Sequence, residues 1–401
     1  MQQWPFHSGK EPINQGAFEH IVITNETAKL RDVVLIGGGH AHALVLKAWG
    51  RNPPANARLT VINPDPKAPY TGMLPGFVAG HYGADEISID LVRLAEFAGG
   101  RLILDHATGF DPKAQMISLA GCPPIAFDVA SINIGIASGG IDIASDGRAV
   151  FGAKPMGRFV NGWANFVEAV SKGMASPHGA VIGGGIGGVE LALAMAYRLN
   201  TIAPAHAAVQ VSLIEAGPTL LPRESASLRS TLNAALLKAK ITLYLNTKAV
   251  SAFADGITLS NGDLLPANFI AAAAGAIAQK WLSKTGLLLD NGYVVTDDTL
   301  RACGHDAIFA VGDCATIAGA PRPKAGVYAV RQAPILLANL ASTLNRSPLR
   351  HFRPQRDYLK LVSLGGKNAV ASKWGSAAHL PGVWTWKNRI DRAFMSGLSG
   401  P

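Results

Sequence analysis

Two stretches of the chain share one pattern, in which a short, wholly apolar run breaks into clustered glycines and then resumes with helical spacing. The first is Val33-Val34-Leu35-Ile36 followed by Gly37-Gly38-Gly39-His40-Ala41-His42. The second is Ala180-Val181-Ile182 followed by Gly183-Gly184-Gly185-Ile186-Gly187-Gly188-Val189-Glu190. An apolar run without polar alternation predicts a strand covered on both faces, and the glycines mark its handover to a helix. In such a turn the first glycine allows the tight bend and the second lets backbone approach a pyrophosphate. The helix start behind it offers unpaired N–H groups and a positive dipole end.

The remaining elements follow from the same reading. A helix is predicted over roughly His40 to Trp49, stopped by Gly50 and the Pro53-Pro54 pair, and then a strand from Arg58 to Asn63. The proline-bounded loop Pro69-Tyr70-Thr71-Gly72-Met73-Leu74-Pro75-Gly76 reads as a shaped backbone segment able to wall a flat ligand. After the second glycine cluster, a strand from Val209 to Ile214 ends at Glu215. A buried strand at Ala307-Ile308-Phe309-Ala310-Val311 runs into Gly312-Asp313, and Lys324-Ala325-Gly326-Val327 opens a helix continuing through Gln332. Residues 1–30 carry no clear periodicity and read as an arm, with one short strand at His20 to Thr24.

The two clusters differ in chemistry. Gly183, Gly185 and Gly188 satisfy the full three-glycine fingerprint, and Glu215 at the end of the next strand suits a ribose 2′-hydroxyl while repelling a 2′-phosphate. In the first cluster Gly37 and Gly39 are present, but His42 stands where a third small residue is expected. The following strand ends in Asn63-Pro64-Asp65, leaving Asn63 or Asp65 to meet the ribose. His40 and His42 flank the presumed phosphate. His40 is expected to face the ligand and His42 to support the fold.

Composition narrows the class. With 401 residues, 48% hydrophobic and 16% charged, the chain can build two or three sizeable cores. Three scattered cysteines make neither a disulfide framework nor a zinc knot, and no metal site is expected. The opening residues lack a basic segment followed by an apolar one, so no secretory signal is expected. The apolar run from Ile270 to Ile277 is too short to span a bilayer. Residues 346–401 carry ten Lys or Arg against Asp357 and Asp391, so nearly all of the +9 net charge sits at this end. There Val383, Trp386, Ile390, Ala393 and Phe394 fall on one helical face flanked by basic residues. That face is suited either to a membrane surface (residues 383–395) or to packing on its own domain or a homodimer partner. Nothing resembles a nucleic-acid reading element.

Two nucleotide fingerprints 146 residues apart, followed by Phe309-Ala310-Val311-Gly312-Asp313, resemble the pyridine nucleotide-disulfide oxidoreductase superfamily of flavoproteins over roughly residues 31 to 345. Gly185 to Ala192 and the basic C-terminal section are similar to type II NADH:quinone oxidoreductases. Gly37 to Leu44, Tyr70 to Gly76 and Arg389 to Met395 are similar to the flavoprotein portion fused to selenide, water dikinase. The resemblance implies an α/β fold of two Rossmann-like dinucleotide-binding domains. The FAD domain (31–153 and 278–345) is interrupted by an NADH domain (154–277) and followed by a C-terminal section (346–401). It implies FAD on Gly37, Gly39, His40, Asn63, Thr71, Gly72, Met73, Gly312, Asp313, Lys324, Ala325, Gly326 and Val327. NADH, rather than NADPH, is implied on Gly183, Gly185, Gly188, Glu190, Glu215 and Gly275.

Glu190 and His40 are the implied catalytic side chains, and the implied reaction carries hydride from NADH to FAD and electrons on to a quinone-like acceptor. The setting the resemblance implies is cytoplasmic, with a peripheral place on the inner face of the cytoplasmic membrane as the further option. The paired cysteines of the disulfide reductases are missing, because no cysteine precedes Cys122. Two alternatives stand beside this reading: sulfide- or selenide-linked quinone reduction, for which Cys314 beside Asp313 is the natural thiol, and a flavin-bound sensor or assembly module with little turnover.

Overall fold

The computed structural model describes residues 30–138, 144–145, 150–153 and 156–399. The arm before residue 30, with its expected strand at His20 to Thr24, lies outside the described residues. Within them the chain forms two five-stranded parallel sheets built on one plan. In the first, β1 (Arg31–Ile36) is flanked by β2 (Ala57–Ile62) and then β3 (Arg101–Ile103) on one side. On its other side lie β4 (Val129–Ile132) and then the late strand Ile308–Ala310. In the second sheet, Val150–Gly152 is β5, His178–Ile182 is β6, Gln210–Ile214 is β7, Thr242–Tyr244 is β8 and Phe269–Ala272 is β9. Their order is β5-β9-β6-β7-β8. The Ile308–Ala310 strand, β10, thus holds in the first sheet the place of β5 in the second. The pairing draws Val150–Gly152 into the second sheet, a few residues before residue 154, where that unit was expected to begin.

Both central strands are apolar throughout because each sheet is covered on two faces. Val33, Leu35, Val181 and Ala180 have no exposed surface. Each central strand turns through a positive-φ glycine, Gly37 at +92° and Gly183 at +112°, into a helix: α1 (His40–Arg51) in the first unit and α3 (Ile186–Ile202) in the second, after α2 (Met156–Ser171). Helix α1 does not stop at Gly50 as expected. Gly50 lies inside it, where a side chain would strike Phe97, and the helix ends at Asn52, held extended ahead of Pro53. Phe269 on β9 packs with Phe151, Phe159, Trp163 and Phe166, and Trp163 Nε1 donates to the Val78 carbonyl at 3.1 Å, tying the second unit to the first.

After α4 (Ala226–Lys238) in the second unit and α5 (Gly326–Leu344) in the first, the C-terminal section forms an antiparallel sheet. Its strands β11 (Lys360–Ser363), β12 (Ala369–Lys373) and β13 (Ser376–Ala378) precede α6 (Val383–Leu398). The inward face of α6 differs from the apolar stripe read in sequence. Val383 and Met395 are buried and Phe394 is half-buried, but Trp386 and Ile390 are exposed, at 49% and 43%, and Ala393 is exposed too. The middle of the inward face is the ion pair Lys387–Asp391, 2.6 Å apart. Burial is possible there because each charge is satisfied locally, Lys387 Nζ donating to the Gly72 carbonyl at 2.8 Å and Tyr70 donating to Asp391 at 3.2 Å.

Candidate active site

A cavity of about 980 Å³ opens at the C-terminal ends of β1, β2, β4 and β10, the edge at which parallel sheets of this kind receive ligands. Gly37, Gly39, His40, Asn63, Thr71, Asp313 and Gly326 line it. The N-cap of α1 is Gly39, which brings no capping side chain, and no acidic residue lies in the first turn, so this helix start is open to an anion. A cavity of this size, with a glycine cradle and the Asp313 carboxylate among its lining residues, fits a dinucleotide flavin.

The expected cofactor residues do not all meet. Met73 is 1% exposed and belongs to the hydrophobic core, because Thr71–Met73 forms a 3-10 turn that points only Thr71 at the cavity. The Gly72 carbonyl faces Lys387. Lys324 and Ala325 border a small pocket beside the cavity rather than the cavity itself. Lys324 Nζ donates to the Ala315 carbonyl and lies 3.9 Å from the centre of the Tyr293 ring, and burial lowers its pKa. Helix α5 begins at Gly326, later than Lys324, and Val327 is half-buried in its first turn. His40 lies over Gly326, edge-on to Tyr70 and Phe394, whose rings stack at 4.6 Å.

The irregularities of the first cluster have a structural answer. His42 has no exposed surface. Its Nδ1 is 2.7 Å from the Gly37 carbonyl and its Nε2 is 2.8 Å from Ser131 Oγ. Desolvation lowers its pKa to about 4, so the imidazole is neutral at physiological pH. Asn63 Oδ1 accepts the Gly38 amide at 2.8 Å while its Nδ2 donates to the Asp65 carbonyl; Asp65 also lines the cavity. Glu215 does the same in the second unit, taking the Gly184 amide at 2.6 Å and the Gly217 amide at 2.7 Å.

In the second cluster the N-cap is Gly185, again without a capping side chain. A Cβ there, or at Gly187, would meet nothing, so the protein's own packing does not require these glycines and the space over this helix start is open. Gly188 is different: a Cβ would overlap the Gly183 carbonyl, so helix and strand pack at glycine distance. Gly275, at a φ of +51°, turns the chain after β9. Glu190 accepts the Ser363 amide at 2.6 Å, in the wall between α3 and β11. Although some of its surface reaches solvent, burial of the carboxyl raises its pKa to about 7 against the opposing pull of Lys387.

Sequence reasoning missed Asn133, Gln332, Lys387 and Asp391. Gln332 accepts the Gly312 amide at 2.7 Å, fixing the turn that carries Asp313. The usable signal for Asn133 was the polar pair Ser131 and Asn133 in and just after an otherwise apolar strand. Cys314 is fully buried, its thiol against the Val311 and Ile132 carbonyls and its pKa raised to about 11 by burial, an environment that suppresses thiolate chemistry.

Residues 31–333 match the pyridine nucleotide-disulphide oxidoreductase family, and the chain belongs to it. This family binds FAD and uses NAD(P)H, and the protein is an oxidoreductase of that kind. Among its relatives is a type II NADH:quinone oxidoreductase of Staphylococcus saprophyticus, 24% identical over 390 residues that cover 92% of this chain and 96% of that protein. A type II NADH:quinone oxidoreductase of Haemophilus influenzae is 29% identical over 204 residues, 48% of this chain and 46% of that protein. The fold is also that of the sulfide:quinone oxidoreductase of Aquifex aeolicus, with a TM-score of 0.73 at 18% identity over 92% of this chain and 91% of that one.

Proposed function

We propose that this protein oxidises NADH and delivers the electrons, through FAD, to a quinone-like lipophilic acceptor at a membrane surface. The observation carrying this reading is the pair of uncapped glycine helix starts on two sheets of one plan. One stands over the large cavity and the other has a carboxylate, Glu215, at the end of its second strand. On this reading residues 31–153 and 278–345 serve FAD, residues 154–277 serve NADH, and residues 346–401 carry the docking surface.

FAD, when bound, accepts hydride and releases electrons singly or in pairs. The chain's own residues bind and orient. Gly37, Gly39 and the α1 start receive the pyrophosphate, Asp313 accepts from polyol hydroxyls, and the α5 start at Gly326 lies under the ring system, with His40 facing it. Gly183, Gly185 and the α3 start receive the phosphates of NADH. Glu215 retains free lone pairs for a ribose hydroxyl and would repel a 2′-phosphate, which favours NADH over NADPH. Glu190, with a pKa near neutrality, can hold or release a proton at its carboxyl. The buried, high-pKa Cys314 thiol argues against sulfide as the electron source.

Exposed Trp374, Leu380, Trp386 and Ile390, beside the basic residues of this section, support docking on an anionic leaflet. Among the described residues no helix is long and apolar enough to cross a membrane. The test is steady-state oxidation of NADH and of NADPH by FAD-loaded protein with a soluble quinone analogue, run beside sulfide as donor. Quinone-dependent NADH turnover is expected. FAD binding without turnover would favour a sensor, and sulfide-driven quinone reduction would overturn the assignment of the donor.

A further inference from the structure

The two units can be superimposed residue by residue through their strand registers, because Ile36 pairs with Ile132 in one sheet and Ile182 with Ala272 in the other. By that register His42 stands where Gly188 stands, Ser131 where Ala271 stands, and Asn133 where Ala273 stands. Three polar side chains in the first unit therefore replace small residues in the second. Two of them, His42 and Ser131, bond to each other. Asn133 does something else.

Asn133 is 3% exposed and meets both turns that border the cavity. Its backbone carbonyl accepts the Gly39 amide at 3.3 Å, its Oδ1 lies 3.4 Å from the His42 amide, and its Nδ2 donates to the Val311 carbonyl at 2.9 Å. A Cβ at Gly39 would land on Asn133 Oδ1, one at Gly312 on Asn133 Nδ2, and one at Gly37 within 2.5 Å of the Asn133 carbonyl. Glycines from segments more than 270 positions apart are thus fitted around one amide. In the second unit, Ala273 has no such reach and the space over Gly185 is open. The difference has a physical cause: with an imidazole between α1 and β1 in place of the glycine contact at Gly188, the first turn needs another restraint to set its position.

We infer that Asn133 is the positioning residue for FAD. Its side-chain amide ties the first turn of α1, at His42, to the Val311 carbonyl just ahead of the Gly312–Asp313 turn, so that the groups meeting the pyrophosphate and those meeting the polyol are held at one spacing. The inference rests on the placement of FAD in the large cavity. A residue that pre-sets two halves of a site acts on ligand affinity, since the ordering cost is met before binding.

The test uses the full chain, stripped of flavin and titrated with FAD by fluorescence quenching, with NADH titration as the internal control. Asn133→Ala, which copies Ala273, should raise the Kd for FAD at least tenfold and alter the visible band shape of the bound flavin, with NADH affinity within twofold of the parent. Asn133→Ser, neutral and too short to reach the Val311 carbonyl, should also raise the Kd for FAD. Asn133→Ala and Asp313→Ala should combine to less than the product of their separate effects, because both act through one spacing. An FAD Kd within twofold of the parent in both Asn133 variants, or equal losses of FAD and NADH affinity, would overturn the inference. Should Asn133→Ala not fold, Asn133→Ser decides it alone. Failure of the unmodified protein to bind FAD would instead overturn the placement of the cofactor.

Discussion

Protonation of His42 is the perturbation whose consequence can be worked furthest. The folded protein holds this imidazole neutral, with a pKa near 4 against an ordinary value of 6.5, while the unfolded chain takes up a proton below 6.5. Stability from this residue is therefore fully present above pH 6.5 and is lost as pH falls from 6.5 through 4. The loss relative to pH 8 is about 2 kcal/mol at pH 5, following the linkage between pKa and folding. Glu190 works in the opposite sense. Its folded pKa is raised to about 7, so the stability it contributes is present at low pH and is lost as pH rises from about 4.5 through 7. The two slopes oppose each other across one window and mask each other in the unmodified protein. The informative quantity is thus the difference between proteins. Thermal or urea unfolding of the parent and of His42→Gln at pH 8 and pH 5 should show the variant gaining about 2 kcal/mol on the parent at the lower pH, once its constant penalty is subtracted. A parent-minus-variant difference that is the same at both pH values would refute a buried neutral histidine at this position.

Three further outcomes are expected. On the proposed NADH–quinone reaction, Glu190→Gln should remove a limb of the pH–rate profile that falls above about pH 7 and lower turnover by roughly 10²; rapid-mixing measurements at pH 6 and 8 check both. Gly188→Ala should weaken NADH binding while FAD is retained, since a methyl there strikes the Gly183 carbonyl and forces α3 away from β6; separate titrations with the two nucleotides measure it. Trp374→Ser combined with Trp386→Ser should reduce co-sedimentation with anionic vesicles several-fold and leave the visible flavin spectrum unchanged, because both indoles lie exposed at 77% and 49%.

Local patterns carried the two glycine turns of the candidate site. The strand-glycine-helix signal located Gly37, Gly39, Gly183, Gly185 and Gly188 because its information lies within a dozen consecutive residues. Asp313 follows its strand by the same logic, and the cavity edge receives it. What could not be read locally depends on partners far away in the chain. His42 finds Ser131, 89 positions on, and Asn133 finds Val311, 178 positions on. The loop at Tyr70 to Met73 reads as a wall, yet only its fold into a 3-10 turn turns Met73 inward and Thr71 outward. Of the two uses left open for the apolar stripe of the C-terminal helix, a helical wheel could not choose, because the face it packs inward is centred on the buried i,i+4 ion pair Lys387–Asp391 and leaves Trp386 and Ile390 exposed.

By itself, then, the sequence determined that the chain is α/β, that it carries two dinucleotide cradles, and that one is the more regular. Those features follow from short-range rules, the period of apolar residues and the positive φ that only glycine accepts cheaply. The tertiary structure decided which cradle stands over the large cavity, which histidine supports and which faces it, and that Glu190 lies where burial draws its pKa toward neutrality. These are matters of desolvation and of distance between segments, and neither quantity exists until the chain has folded.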